Sequence, residues 1–467
     1  MTLHAPAAAP YPQKYTNPFV LYPPTLWENQ VGTDLAENHL GFTNVGGDYV
    51  LYVSVPFCRI RCHSCPYFIE LLSIHDTRDK EQRYTDALVT DLERWAQEPR
   101  WKSGSLRAVY IGGGTGSVLK TANLRRITDT IAKNFPLAAD CEITLEGNAR
   151  DYDDEKLDFV VASPITRISL GVQSFDPEVL KVIGSPHGAA QSADVIGRLQ
   201  QRGFDNVQLD MMYNMPGHTR KVWKEDLSKL KDLNVNHLTT YLYRIHEGTP
   251  QKKFILDGRV PPPVDKESAY VKSMYMDLVE SAADAGFNMY MFDHFATVGS
   301  ESVYNKWNFG NASDVLGVGP GAYGFSNGTR FGSAKDVAGY ISSVERGEYY
   351  ITAASDRLDE RGVKEHYVLN TLHYLGVDLD AYSARFGSSF VEDFAAETDK
   401  LLNRGLATLS EKRLDLTELG QDFHMNVALE FTNDKYWGNS AAARTPHWSM
   451  NSPMVDLFSG DKSTWLA

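Results

Sequence analysis

Short apolar runs alternate with amphipathic stretches from residue 49 to residue 292. That alternation constrains the fold more than any other feature of the chain. Runs at 49–55, 108–111, 142–146, 167–171, 207–212, 237–243 and 288–292 read as strands. Helical spacing falls between them, at 84–95 (Leu88, Leu92 and Trp95 on one face), 124–135, 190–202, 223–233 and 266–285. Repeated strand–helix–strand order argues for a parallel sheet, and hence for an α/β fold that is closed or partly closed as a barrel. In such sheets the chemistry gathers at the C-terminal ends of the strands.

Past Gly332 the pattern changes. Residues 363–375, 379–386 and 390–402 are expected to be helical, and 406–409 and 413–416 flank a turn at 411–412. Helices ending in a short hairpin suggest a winged-helix-like module. The first 48 residues are rich in Pro, Tyr and Asn and lack a period, so they read as an irregular arm with a disordered start at 5–10. From residue 427 a tail follows, with little pattern but several aromatics: Tyr436, Trp437, His447 and Trp448. The expected divisions are an arm at 1–48, a barrel at 49–331, a C-terminal domain at 332–432 and a tail at 433–467.

The formal net charge is −14, which argues against a general nucleic-acid binder. No apolar run approaches the ~20 residues that span a bilayer. The first residues lack the basic-then-apolar order of a signal peptide, so neither a membrane nor export is expected. Of four cysteines, three crowd into eight positions. That is a metal-site pattern in a reducing compartment, not a disulfide framework, and it places the chain in the cytoplasm.

Cys58, Cys62 and Cys65 are spaced C-x3-C-x2-C, directly after the strand in Tyr-Val-Ser-Val-Pro-Phe-Cys at 52–58. Three thiolates on one loop can hold three irons of a 4Fe–4S cluster and leave the fourth iron open. A structural zinc site needs four closed ligands. His63 would complete a Cys3His set, but it lies between two of the ligands and would be strained in the same shell. Cys141, far along the chain, reads as a small buried hydrophobe.

With its spacing and its preceding strand, this stretch resembles the start of radical S-adenosylmethionine (SAM) enzymes. More narrowly, residues 49–431 resemble the oxygen-independent coproporphyrinogen III oxidase-like (HemN-like) family. The resemblance implies a partial (β/α)6 barrel with the cluster loop after its first strand, and a HemN-type C-terminal domain. It also implies a 4Fe–4S cluster, SAM (two molecules), an electron donor such as flavodoxin or ferredoxin, and a small-molecule substrate. In the family, reductive cleavage of SAM gives methionine and a 5′-deoxyadenosyl radical.

Site residues follow from the same resemblance. Tyr52 opens the motif and is expected at the SAM site, as a catalytic and cofactor-binding residue. Gly112-Gly113-Gly114-Thr115 ends the second strand, with Gly113 facing one SAM and Gly114–Thr115 the second; a tight turn is the bland alternative. Gly116 stands where the family has Pro. Glu146 ends the third strand and would bind the first SAM. Gln173 closes Arg167-Ile-Ser-Leu-Gly-Val-Gln, and Asp210 lies in an otherwise apolar strand; both would serve the second SAM. An Asp there is costly to bury without a partner, which favours a ligand role. Ser185 replaces the usual Arg of that site. Leu242 would hold the adenosyl group, with core packing an equal reading, and Tyr323 would cover the first SAM. Asp293 and His294 resemble an Asp-His-Phe-Ala stretch and are candidates for moving protons, or a structural pair.

Several positions depart from particular subtypes. Tyr67 stands where the porphyrin-oxidising enzymes carry a fourth Cys, Ser54 where the family has His before the Pro, and Ser64 where an aromatic is usual. The heme-carrying relatives show H-N-x-x-Y-W; here the stretch is Tyr304-Asn305-Lys306-Trp307. Exclusion then points to the class C methylases and cyclopropanases, which add a methylene from a second SAM to an sp² carbon of a natural product. The alternatives are tetrapyrrole chemistry (coproporphyrinogen oxidation or anaerobic heme degradation) and a heme-carrying, non-enzymatic relative.

Overall fold

The computed structural model describes residues 10–11, 22–24, 46–73, 79–246, 248–265 and 268–436. At its centre six strands run parallel in chain order: β1 (Asp48–Val55), β2 (Ser105–Gly113), β3 (Leu137–Asn148), β4 (Arg167–Gln173), β5 (Val207–Tyr213) and β6 (His237–Leu242). β7 (Asn288–Met291) and β8 (His294–Ala296) extend the β6 edge, with β8 in the middle and both pairings antiparallel. The expected strand at 288–292 is thus real but leaves the parallel repeat. On the other side of β1 lies parallel β9 (Asp314–Val318). From it β10 (Tyr323–Ser326), β11 (Thr329–Gly332) and β12 (Ala353–Ala354) continue antiparallel. The edges β7 and β12 do not pair with each other, so the barrel is partial.

Helices cover the outer face: α1 (Lys80–Trp95), α2 (Thr121–Asn134), α3 (Asp154–Ala162), α4 (Ala189–Gln201), α5 (Arg220–Asp232) and α6 (Ala269–Asp284). The first two residues expected in α6, 266 and 267, lie outside the described residues. Strand alternation sorts the side chains. Leu51, Val53 and Val55 join Leu88, Leu92 and Trp95 in the helix–sheet core, whereas Val50 and Tyr52 face inward.

The barrel is closed at the N-terminal end of its strands by residues 300–310. Glu142 Oε1 accepts from Ser302 Oγ and from the backbone N–H groups of Val303 and Tyr304 at 3.2, 3.0 and 3.3 Å. Its Oε2 pairs with Arg167 at 2.8 Å, and Arg167 also donates to the carbonyls of Ser300 and Glu301. Tyr304 packs on Tyr110, ring centroids 5.3 Å apart.

After α7 (Val337–Glu345) a second core begins. α8 (Glu360–Thr371), β13 (Gly376–Asp378), α9 (Leu379–Phe386), α10 (Phe390–Asp393), α11 (Ala395–Asn403), β14 (Ala407–Leu409) and β15 (Arg413–Leu416) follow in order. The small sheet is ordered β13–β15–β14, the winged-helix arrangement. The helix expected at 363–375 stops at Thr371 and passes into a 3-10 turn, with Leu375 at φ +63° before Gly376. The one expected at 390–402 breaks at Phe394. The tail expected to lack pattern from 427 begins as a buried helix, α13 (His424–Glu430), after the short α12 (Glu418–Asp422). Trp437, His447 and Trp448 lie outside the described residues, as does most of the arm. Where the arm is described it is ordered: Tyr11 and Tyr22 are buried in the second core with Val368, Phe394 and Leu414.

Candidate active site

β1 delivers the cysteine loop at its C-terminal end, and the loop is pinned along its length. Glu70 N donates to Pro56 O at 2.7 Å and Leu72 N to Cys58 O at 3.0 Å, closing its base. Arg61 donates to the carbonyls of Tyr67 and Ile69. His63 docks the middle: its N–H donates to Ile183 O at 2.8 Å, its carbonyl accepts from Gln251 N at 3.0 Å, and its ring meets Phe254 edge-on at 4.9 Å. Gly184, at φ +67°, makes room for that ring, since a Cβ there would sit 2.7 Å from it. His63 is therefore engaged in docking, in line with its exclusion from a zinc shell.

The three thiols are half-buried. Burial pushes Cys58 and Cys62 up to about 12 and Cys65 in the same direction, with neighbouring thiols adding to the first two. Among the described residues no three His, Cys, Asp or Glu side chains converge tightly enough to ligate one ion. A cluster needs no such convergence, because each thiolate binds its own iron. The donor set, three thiols on one anchored loop, fits the expected cluster. Cys141 sits apart, against the helix–sheet core.

The glycine run follows from close backbone approach. Gly113 has φ +117° and donates its N–H to Glu146 Oε2 at 3.2 Å. A Cβ on Gly112 would strike Glu146 Oε2, and one on Gly114 would lie 2.6 Å from Phe57 O. The run thus brings the end of β2 against both the cysteine loop and Glu146. At Gly116 a Cβ would lie 2.7 Å from Ile111 O, so the chain passes closer there than a proline would permit. Thr115 Oγ1 donates to Gly114 O and lies 3.3 Å from Cys58 Sγ.

Inside the barrel, Tyr52 and Tyr110 stack at 6.1 Å and form a floor above Tyr304. Glu146 and Asp210 stand over it from β3 and β5. Burial, reinforced by the Asp210 charge, pushes the Glu146 carboxyl up to about 8 against the pull of the Gly113 N–H. Burial also raises Asp210 to about 6. Asp210 is not short of protein partners: Ser169 Oγ donates to Oδ2 at 2.6 Å and Gln208 Nε2 to Oδ1 at 2.8 Å. Its burial therefore does not by itself require a ligand, contrary to the sequence argument. Tyr110 and Gln208 belong to no motif. Their one sequence signal is the period of two that sets them on the face of Gly112 and Asp210.

The remaining candidates divide. Gln173 ends β4 at φ +61°, and its amide has no hydrogen-bond partner among the described residues. Tyr323 packs toward Tyr52, centroids 6.5 Å apart, with Arg330 over its ring. Leu242 packs against the helix-side core, away from the interior that its neighbour Tyr241 faces. Asp293 and His294 do not pair. His294 Nδ1 bonds Phe292 O at 2.8 Å, and its ring faces His237 and Tyr290, near the closed end. Asp293 lies in the turn between β7 and β8 with φ +59°, its Oδ1 buried without a hydrogen-bond partner among the described residues and its carboxyl raised to about 7 by burial.

Comparison with known proteins adds the lineage. Residues 52–240 match the radical SAM superfamily, and residues 372–423 match the HemN C-terminal domain. The chain is 28% identical over 383 residues to the heme chaperone HemW of Lactococcus lactis, covering 82% of this chain and 97% of that protein. It is 27% identical over 382 residues to the anaerobilin synthase of Escherichia coli O157:H7, covering 81% and 82%. It is 25% identical over 402 residues to the oxygen-independent coproporphyrinogen III oxidase of Salmonella typhimurium, covering 82% and 84%. The solved coproporphyrinogen III oxidase (HemN) of Escherichia coli superposes with a TM-score of 0.74 at 21% identity, covering 88% of this chain and 96% of that one. The two domain models match in order and the relatives align over more than four-fifths of their length, so the chain is similar throughout to radical SAM proteins of the HemN-like family.

Proposed function

We propose that this chain cleaves SAM reductively and directs the resulting radical chemistry at a tetrapyrrole. What supports the substrate class is the set of relatives: proteins named for heme, anaerobilin and coproporphyrinogen, each aligned over more than four-fifths of its length. The methylase and cyclopropanase reading has no such support, and tetrapyrrole chemistry displaces it.

Cys58, Cys62 and Cys65 would hold the 4Fe–4S cluster, which when reduced supplies the electron that breaks the sulfonium bond of SAM. The chain's own residues do the rest. Glu146, its carboxylate oriented by the Gly113 N–H, is placed to receive the ammonium of SAM. Asp210, held by Ser169 and Gln208, adds negative potential that attracts the sulfonium cation into the interior. The Tyr52–Tyr110 floor and the 300–310 plug close that space from below, keeping water from a reactive radical. One SAM satisfies this arrangement. The stretch that replaces the heme carriers' motif is built into the plug, with Tyr304 buried against Tyr110, and this favours an enzyme over a carrier.

The test is anaerobic turnover of the reconstituted, reduced protein with coproporphyrinogen III or heme. Substrate-dependent 5′-deoxyadenosine with consumption of one of the two is the expected result. SAM cleavage that ignores both would overturn the tetrapyrrole reading.

A further inference from the structure

Two arginines interleave with the first cysteines, in Cys58-Arg-Ile-Arg-Cys62, and their surroundings differ. Arg59 has its charge met. Its Nε lies 3.4 Å from the carboxylate of Asp151, which also accepts from Ser117 Oγ at 3.0 Å. Arg61 has no carboxylate partner among the described residues. Its guanidinium is pinned by neutral groups instead, the carbonyls of Tyr67 at 3.3 Å and Ile69 at 3.0 Å. Those bonds fix where the charge sits and leave it uncancelled.

The same turn of chain carries the thiols. Tyr67 joins the two: its backbone N–H favours the thiolate of Cys65, and its carbonyl accepts from Arg61. The Arg61 charge favours the thiolates of both Cys62 and Cys65, against the burial that raises them, while Glu146 opposes it at Cys65. Arg61 is half-buried, so water and salt screen it only in part.

A 4Fe–4S cluster on three thiolates is negative when oxidised and gains one more negative charge on reduction. A fixed cation beside two of its ligands stabilises the reduced form more than the oxidised one. We propose that Arg61, acting through Cys62 and Cys65, raises the reduction potential of the cluster so that an external one-electron donor can load it, and that Arg59 contributes less because Asp151 cancels its charge. Arg61 itself exchanges no electron: one enters the cluster from the donor and leaves it to SAM. This inference rests on the cluster assignment and is independent of the substrate.

An anaerobic redox titration of the reconstituted full chain, without SAM, decides it. The readout is the electron paramagnetic resonance signal of the reduced cluster, with iron content measured in parallel. Arg61→Gln keeps a donor for the carbonyls and removes the charge. It should retain parental iron and be at least about tenfold harder to reduce, a potential lower by about 59 mV. Arg61→Lys should restore the parental value, and Arg59→Gln should shift it less than Arg61→Gln does. Asp151→Asn, outside the cysteine loop, uncovers the Arg59 charge and should raise the potential. Full iron with the parental potential in Arg61→Gln would overturn the proposal and leave Arg61 as a pin for the loop. If Arg61→Gln loses its iron, Asp151→Asn is decisive, and an unchanged potential there overturns the proposal as well. A parent protein that takes up no iron would instead remove the cluster assignment itself.

Discussion

Glu146 carries the most informative titration in the site. Its carboxyl is raised to about 8, so near neutral pH the empty site holds a proton there. A bound ammonium requires the charged form, so binding releases that proton. SAM affinity, measured by calorimetry, should therefore rise by up to about tenfold per pH unit between pH 6 and 8 and level off above. Glu146→Gln should bind weakly with no slope over that range; a slope that persists in this variant would assign the proton to another group. The thiols make a simpler case. Cys58→Ala, Cys62→Ala or Cys65→Ala should each lower the iron retained after reconstitution, and Cys141→Ala should not, because Cys141 packs with the helix–sheet core. The three ligand candidates were legible because their spacing is local. Asp210 was legible as a buried carboxylate but not as a satisfied one: Gln208 lies two residues before it on the same strand, but Ser169 reaches it through strand register, which a single sequence does not display.

At the scale of elements, the cysteine loop is shaped by segments that contain no cysteine. Gly184 is left-handed, and a methyl there meets the His63 ring. Gly184→Ala should add about 1–2 kcal/mol of local strain and displace the middle of the loop. Iron retention should fall while the far-UV circular dichroism stays native. His63→Ala in the same background removes the clash and should recover part of the iron; no recovery would mean that the backbone conformation at Gly184, not the contact, sets the loop. The longer elements could be read from their period, as with Leu88, Leu92 and Trp95 on α1. Shorter ones were invisible. β10, β11 and β12 have four, four and two residues and carry Gly324 and Gly332, too little sequence for a period to show. The nine-residue α3 depends on a cap from Asp153 to Lys156 N more than on an apolar stripe.

At the scale of the whole molecule, the two cores are joined by a segment that sequence reading treated as an unpatterned arm. Arg330 of β11, buried, donates to Pro23 O at 3.0 Å and Tyr22 O at 3.1 Å. Tyr22 in turn donates to Glu365 of α8 at 2.5 Å and meets Tyr436 edge-on. A strand of the main sheet thus holds arm residues that are packed into the second core, some 300 positions away in sequence. No periodicity reports such a link, because each partner is a single residue outside any repeat. Arg330→Met keeps the stem's bulk and removes both donors, leaving two buried carbonyls unpaired at about 1–3 kcal/mol each. Removing the buried cation, itself lowered to about 10 by burial, offsets part of that cost. The loss should fall on the second core. Calorimetry of the variant should show an early transition assigned by hydrogen exchange to α8, with the exchange of β1 to β6 unchanged. A single transition shifted as a unit, with equal loss of protection in both cores, would instead show that they unfold together and that Arg330 stabilises the whole chain.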